Sequence, residues 1–378
     1  MKHYDRSLLA GTLLAVFCAV TDQLIAQVPD DGTIIYCRHN PTNDQTTVWF
    51  AGLQGGTDTL ITTGWMARIS LDRRFLVFLR DGPNGTAYGS RGDLWVRDLT
   101  TGAETNLYHD SDFIVAGDFT RDASSVIFDY SCSDYSIARD GSASGASTFL
   151  SGGNCYDDAP TVNPVDGTIA YHNNGSGGGI GIASTNFQSK TGVPNSALGT
   201  YPLWSHDGQW LSYTLTSGYY TYLGYNLYKI RTNGTGLTQL TYFIGSTNAF
   251  PYGAAWNSDG TALVGAGTIN GVTGLYQIAS DGSGAISLLN IIQPGDAVAY
   301  VGAVLGSPGP SLTAWLTPTN TVVVYWASPS TGFNLQQNTN LGASSWSAPD
   351  QSIIDNGSIK FIVVNNPAEQ RFFRLSKP

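Results

Sequence analysis

One pattern constrains this chain more than any other. An aromatic or apolar residue, a short polar turn and an aspartate recur six times, and each copy runs into a β-type stretch. The clearest copy is PLWSHDGQWLSY, from Pro202 to Tyr213. Weaker copies are RISLDRRFLVF from Arg68, DFTRDASSVIF from Asp118, PTVNPVDGTIAY from Pro160 and AAWNSDGTALV from Ala254; a truncated DGTIIY opens the series at Asp31. The turn aspartates Asp31, Asp72, Asp122, Asp166, Asp207 and Asp259 stand 41, 50, 44, 41 and 52 residues apart. Self-similarity at this period, with several strands per period, predicts a β-propeller.

Each period has the same internal order. After the aspartate comes a strand such as FLVFL or WLSYTL, then a variable loop, then a further strand (VWFAGL from Val48, LWVRDL from Leu94, LYKIRT from Leu227, LYQIAS from Leu275). A Gly-rich turn such as TNGTG or SDGSG leads into a short closing strand. With the strand before the aspartate this makes four antiparallel strands per repeat, turned by DG and NG pairs that accept positive φ. Helical periodicity is absent beyond the N-terminal segment. The first copy lacks its leading strand, and a surplus strand, Ala297 to Val304, follows the sixth. The surplus strand is therefore expected to pair with Thr33 to Cys37 and close the ring, removing two exposed edges.

Pro202, Trp204, Ser205, Asp207, Gly208 and Tyr213, with Trp256, Ser258, Asp259 and Gly260, carry a resemblance to the TolB-like six-bladed propellers. Asp72-Arg73 and Asp122-Ala123 lack the motif's glycine, so these copies are degenerate. The resemblance spans roughly residues 28 to 306. It implies an all-β fold of six four-stranded blades and says little about activity, because the family holds scaffolds, receptors and enzyme-associated domains alike. Ser307-Pro308-Gly309-Pro310 opens a stiff linker (307–311) to a second module, 312–378, with alternating runs at 312–316, 322–327, 333–338, 359–364 and 371–375. These predict a small antiparallel β-sandwich. GFNLQQNTNLGASSW and the terminal RFFRL resemble a short C-terminal module of exported bacterial proteins.

Lys2 and Arg6, an apolar run from Leu8 to Val20 and Ile25-Ala26-Gln27 have the layout of a secretory signal peptide, residues 1–26, ahead of a propeller at 27–306. A secreted, periplasmic or cell-surface protein is expected, with no membrane insertion after cleavage. Of the cysteines that follow, Cys132 and Cys155 fall in loops expected on one face, close enough for a disulfide, which leaves Cys37 a free thiol within a strand. The formal net charge is −10 with 18 Lys and Arg, a balance that argues against nucleic acid and anionic membranes.

Catalytic motifs are absent: there is no Walker loop, no GxSxG and no HExxH, and Gly175 to Gly179 lacks the lysine of a phosphate cradle. Ser205-His206-Asp207 is a repeat turn, since sequence neighbours cannot converge as a triad does. The candidate site is instead positional. Trp65, Asp112, Phe113, Tyr156, Asp157, Asp158, Tyr201 and Tyr252 fall just before the inner strands, where the blade-to-blade connections would ring one channel mouth. Aromatics beside carboxylates suit a carbohydrate, peptide or protein partner. The acidic pairs fit Ca²⁺ or a cationic group, though ordinary polar loop tips would read the same, and no other cofactor is expected. The expectation is an exported, non-catalytic binding or scaffold protein. The alternative is an enzyme acting on polysaccharide or peptide through Asp112, Asp157 or Asp158.

Overall fold

The computed structural model describes residues 28–376, apart from 54, 81–91, 110–113, 115–116, 131–132, 143–147, 152–156, 174–177, 216–225, 244–249, 292–296, 306–311, 329, 331–332, 341–344 and 366–369. The side chains of a few strand residues, Asp157 and Asp158 among them, are likewise not described. The expected signal segment, Asp112, Phe113, Tyr156 and both cysteines of the expected disulfide lie outside the described residues.

Six four-stranded antiparallel sheets follow one another along the chain. Blade two is Trp65–Ile69, Phe75–Arg80, Asp93–Asp98 and Glu104–Tyr108, and blade three begins at Gly117–Phe119 and Ser125–Tyr130. The inner strands of blades four, five and six are Asp157–Val162, Gly199–Trp204 and Ala254–Trp256. Blade one is built from both ends of the repeat region. Its inner strand is Ala297–Val304, and Thr33–Asn40, Gln45–Gly52 and Thr59–Thr63 follow outward. Ile34 opposes Val304, Cys37 opposes Tyr300 and Arg38 opposes Val298, which is the ring-closing pairing the surplus strand predicted. The inner strands touch in cyclic order, from Ala297–Val304 through each blade and back from Ala254–Trp256.

The repeat motif now has a physical reading. In blade five Ser205 N–H donates to the Trp210 carbonyl and Trp210 N–H to Ser205 Oγ, while Asp207 accepts from Ser205 Oγ and Gln209 N–H. Blades two and three repeat the arrangement with Ser70/Asp72 and Thr120/Asp122. The residue after each aspartate is left-handed whether or not it is glycine: φ is 63° at Arg73, 55° at Ala123, 80° at Gly167, 67° at Gly208 and 71° at Gly260. The copies that look degenerate therefore make the same turn, because the side-chain hydrogen bonds hold a conformation that costs roughly 1 kcal/mol with a Cβ. The motif tryptophans bind blade to blade: Trp204 Nε1 donates to the Thr161 carbonyl of blade four, and Trp256 Nε1 to the Leu203 carbonyl of blade five.

Beyond the ring, Thr313–Leu316, Thr321–Ala327, Ile359–Asn365 and Ile354–Asp355 form one antiparallel sheet, and Asn334–Asn338 pairs with Phe372–Ser376. The two share a core of Val324, Trp326, Leu335, Ile362 and Val364. Among the described residues, no helix is long and apolar enough to cross a membrane.

Candidate ligand cavity at the turn face

The inner strands begin on the face of the blade-to-blade connections and end at the repeat turns, so each channel mouth is ringed by different residues. At the connection face three of the expected site residues meet. Tyr252 packs edge-on against Trp65, with ring centroids 5.7 Å apart and planes at 90°, and against Tyr201 at 5.2 Å. Trp65 belongs to blade two and Tyr201 to blade five, so the trio spans the channel. Trp65 is only 2% exposed, and all three pack on the main core.

Trp65, Tyr201, Asp157 and Asp158 sit within inner strands and not in the connections where sequence placed them. The reason is local: pairing breaks between Thr200 and Leu203 and between Asp158 and Thr161, and Tyr201 and Ala159 at those breaks have φ of 52° and 51°. Blade two does the same at Met66, φ 50°, between Trp65 and Arg68. Such bulges interrupt the strand pattern and so mask the strand in sequence.

A cavity lies at the other mouth. It has a volume of about 360 Å³ and draws on the ends of all six inner strands. Its floor divides in two. Arg68, Asp118 and Thr161 stand at matching positions in blades two, three and four, and Leu203, Ala255 and Gly302 occupy the remaining sector. Arg68 Nη1 donates to Thr161 Oγ1 at 3.2 Å and stands 3.8 Å from Asp118 Oδ2. Asp118 Oδ2 accepts from Val162 N–H at 2.9 Å and from Thr161 Oγ1 at 3.3 Å, and Oδ1 from Phe119 N–H at 2.9 Å. Burial pushes the Asp118 carboxyl up, against the pull of Arg68 and these donors. On the apolar side Trp204 and Trp256 form the wall.

The rim is made by the second residue of the repeat turns: Leu71, Arg121, Pro164 and His206. His206 Nε2 lies 2.9 Å from the Val304 carbonyl oxygen and 3.2 Å from that of Trp256, so the Nε2–H tautomer donates from blade five to blades six and one. Arg73, also in the lining, pairs with Asp31 at 2.8 Å.

Sequence reasoning overlooked Arg68, Asp118, Arg121 and His206, yet a signal existed. Arg68, Asp118, Leu203 and Ala255 stand four places before Asp72, Asp122, Asp207 and Asp259. The rim residue is the variable member of an otherwise regular turn. Among the described residues no group of three or more His, Cys, Asp or Glu side chains could hold a metal ion.

No model of a protein family and no curated protein matches this sequence. Solved structures do. TolB from Acinetobacter baumannii superposes with a TM-score of 0.55 at 16% identity, over 73% of this chain and 66% of that one. The fold is a TolB-like β-propeller. Hydrazine synthase from Kuenenia stuttgartiensis also superposes, with a TM-score of 0.54 at 10% identity, over 72% of this chain and 47% of that one. The TolB-like chain thus spans just under two thirds of the Acinetobacter protein and about half of the Kuenenia one. At these identities the likeness is one of fold, and function has to be argued from the cavity.

Proposed function

We propose that this TolB-like propeller is an exported, non-catalytic binding protein that takes its ligand in the turn-face cavity. One observation carries the reading: the cavity is concave and assembled from six strands, and among the described residues its lining holds a single carboxylate, Asp118, whose oxygens are engaged by Val162, Phe119 and Thr161. Glycoside hydrolysis needs two carboxyls, one with its proton free to give. A preformed pocket with a few polar groups on one side and apolar walls on the other instead suits recognition. Export through residues 1–26 belongs to the same proposal, as does a small ligand or a short segment of peptide, glycan or protein as partner.

The test uses purified protein on peptide, glycan and small-molecule panels, reading retention and product release together. The expected result is retention without turnover, with affinity reduced at least about tenfold, or 1.4 kcal/mol, in an Arg121→Gln/His206→Ala variant. An Asp158→Ala variant at the opposite mouth should keep its affinity. Turnover that Asp158→Ala abolishes would replace this reading with the enzymatic one.

A further inference from the structure

Resting on that reading of the cavity, we propose that its ligand is a compact organic anion: one carboxylate or sulfonate group on an apolar or aromatic body.

The chain is acidic overall, −10 with only 18 Lys and Arg, yet Arg68, Arg73 and Arg121 converge on this one cavity against a single lining carboxylate among the described residues. Arg73 is offset by Asp31, which leaves Arg68 and Arg121. Arg121 is exposed at the rim and makes no ion pair among the described residues. Asp118 pairs with Arg68 across 3.8 Å, so the three arginines outnumber Asp31 and Asp118 and the described lining keeps a net positive charge.

Arg68 lines the cavity with its side chain 9% exposed, donates to Thr161 and lies 5.5 Å over the Tyr300 ring. A guanidinium carries five N–H donors. An anionic acceptor brought into the cavity would meet this cation and Arg121 together, and charge-assisted hydrogen bonds are the strong ones.

Trp204, Trp256, Leu203, Ala255 and Val304 face the arginines across the cavity and offer little beyond apolar contact. A sugar could stack a C–H face on the tryptophans, but its hydroxyls would find few partners in that sector. An inorganic anion would leave it empty. A volume of about 360 Å³ sits at the small end of ligand sites, enough for a one- or two-ring acid.

The experiment compares two fluorescent probes that share a ring system: the anion 8-anilinonaphthalene-1-sulfonate and its neutral counterpart N-phenyl-1-naphthylamine. Each is titrated into the full chain. The anion is expected to bind about tenfold tighter or more, a difference of 1.4 kcal/mol, and to lose that margin with added salt. Arg121→Gln should weaken the anion severalfold and leave the neutral probe unchanged, and Arg68→Met should erase the margin. Arg121 is a surface side chain, so its variant keeps the test decisive even if Arg68→Met fails to fold. Ala303→Phe, which fills the cavity, should abolish both. Equal affinities for the two probes, both lost in Ala303→Phe, would overturn the anion inference while keeping the cavity as a ligand site. Binding of both probes untouched by Ala303→Phe would overturn the cavity reading itself.

Discussion

Arginine is rationed in this chain, and where it is buried it is stacked and paired. Arg38 lies 4.1 Å over the Trp49 ring and bonds Asp58 at 2.7 Å, with Tyr36 Oη and Asn290 donating to the same carboxylate. Arg80 repeats the device in blade two, 4.1 Å over Trp95 and 2.8 Å from Glu104. Burial alone would raise the Glu104 carboxyl, but bonds from Thr62, Arg80 and Arg97 hold it below its ordinary value. Cys37 shows the opposite balance. It is buried between blades, with Ala67 N–H 3.5 Å from Sγ, and burial pushes its thiol up to about 12. A thiol raised in the folded state stays protonated there after the unfolded chain has begun to ionise. Its stabilising contribution is complete below about pH 8.5 and is lost as pH rises towards 12. The unfolding free energy of the wild type should therefore fall relative to Cys37→Ala by about 1 kcal/mol between pH 9 and 10. Peptide mapping after thiol labelling at pH 8 should find Cys37 unmodified unless denaturant is present. Rapid labelling of the native protein at this position would show the thiol to be accessible.

At the scale of the element, the repeat turn separates two costs that sequence merges into one glycine. Gly208 and Gly260 have nearly the same backbone, φ 67° and 71°. A Cβ at Gly208 would fall 2.4 Å from Asn163 Oδ1, whereas at Gly260 nothing lies within 4 Å. Gly260→Ala should cost only the left-handed strain, about 1 kcal/mol. Gly208→Ala should cost roughly 1–2 kcal/mol more, because Asn163 must move and its bond to the Gly208 carbonyl breaks. Urea unfolding of the pair reads the difference directly, and equal losses would mean that the turn and its neighbour in blade four are uncoupled. The aspartate and hydroxyl of the turn are legible in sequence because they act within five residues. The contact from Gly208 to Asn163 is not, because it crosses between blades.

The whole molecule depends on a closure that joins its ends. Gly302 lies in the inner strand of blade one, and a Cβ there would fall 1.8 Å from the Ala67 carbonyl oxygen of blade two. Backbone cannot yield as a flexible side chain does, so Gly302→Ala should push the closing strand off its neighbour. The expected loss is about 3 kcal/mol, the upper end for overpacking, seen as a lower melting temperature with a broadened transition. A variant that melts like the wild type would mean that the closing strand has room to spare. His206, with blade five reaching carbonyls of blades six and one, ties the same seam from the turn face.

What could be read along the chain is whatever repeats within it or acts over a few residues. The six turns, the four strands per period, the surplus strand from Ala297 and its pairing with Thr33 to Cys37 are all of this kind. So is the position of Trp65, Tyr201 and Tyr252 near one mouth. Folding around a ring adds what no linear pattern contains, namely which residues of different blades share a level. Trp65 and Tyr252 lie far apart in the chain and pack with their ring planes at 90°. Arg68, Asp118 and Thr161 look like unrelated strand residues until successive blades stack them around one axis. Circular closure converts a period along the chain into proximity in space. The turn motif that marks the fold thereby also supplies, at its variable position, the rim of the cavity.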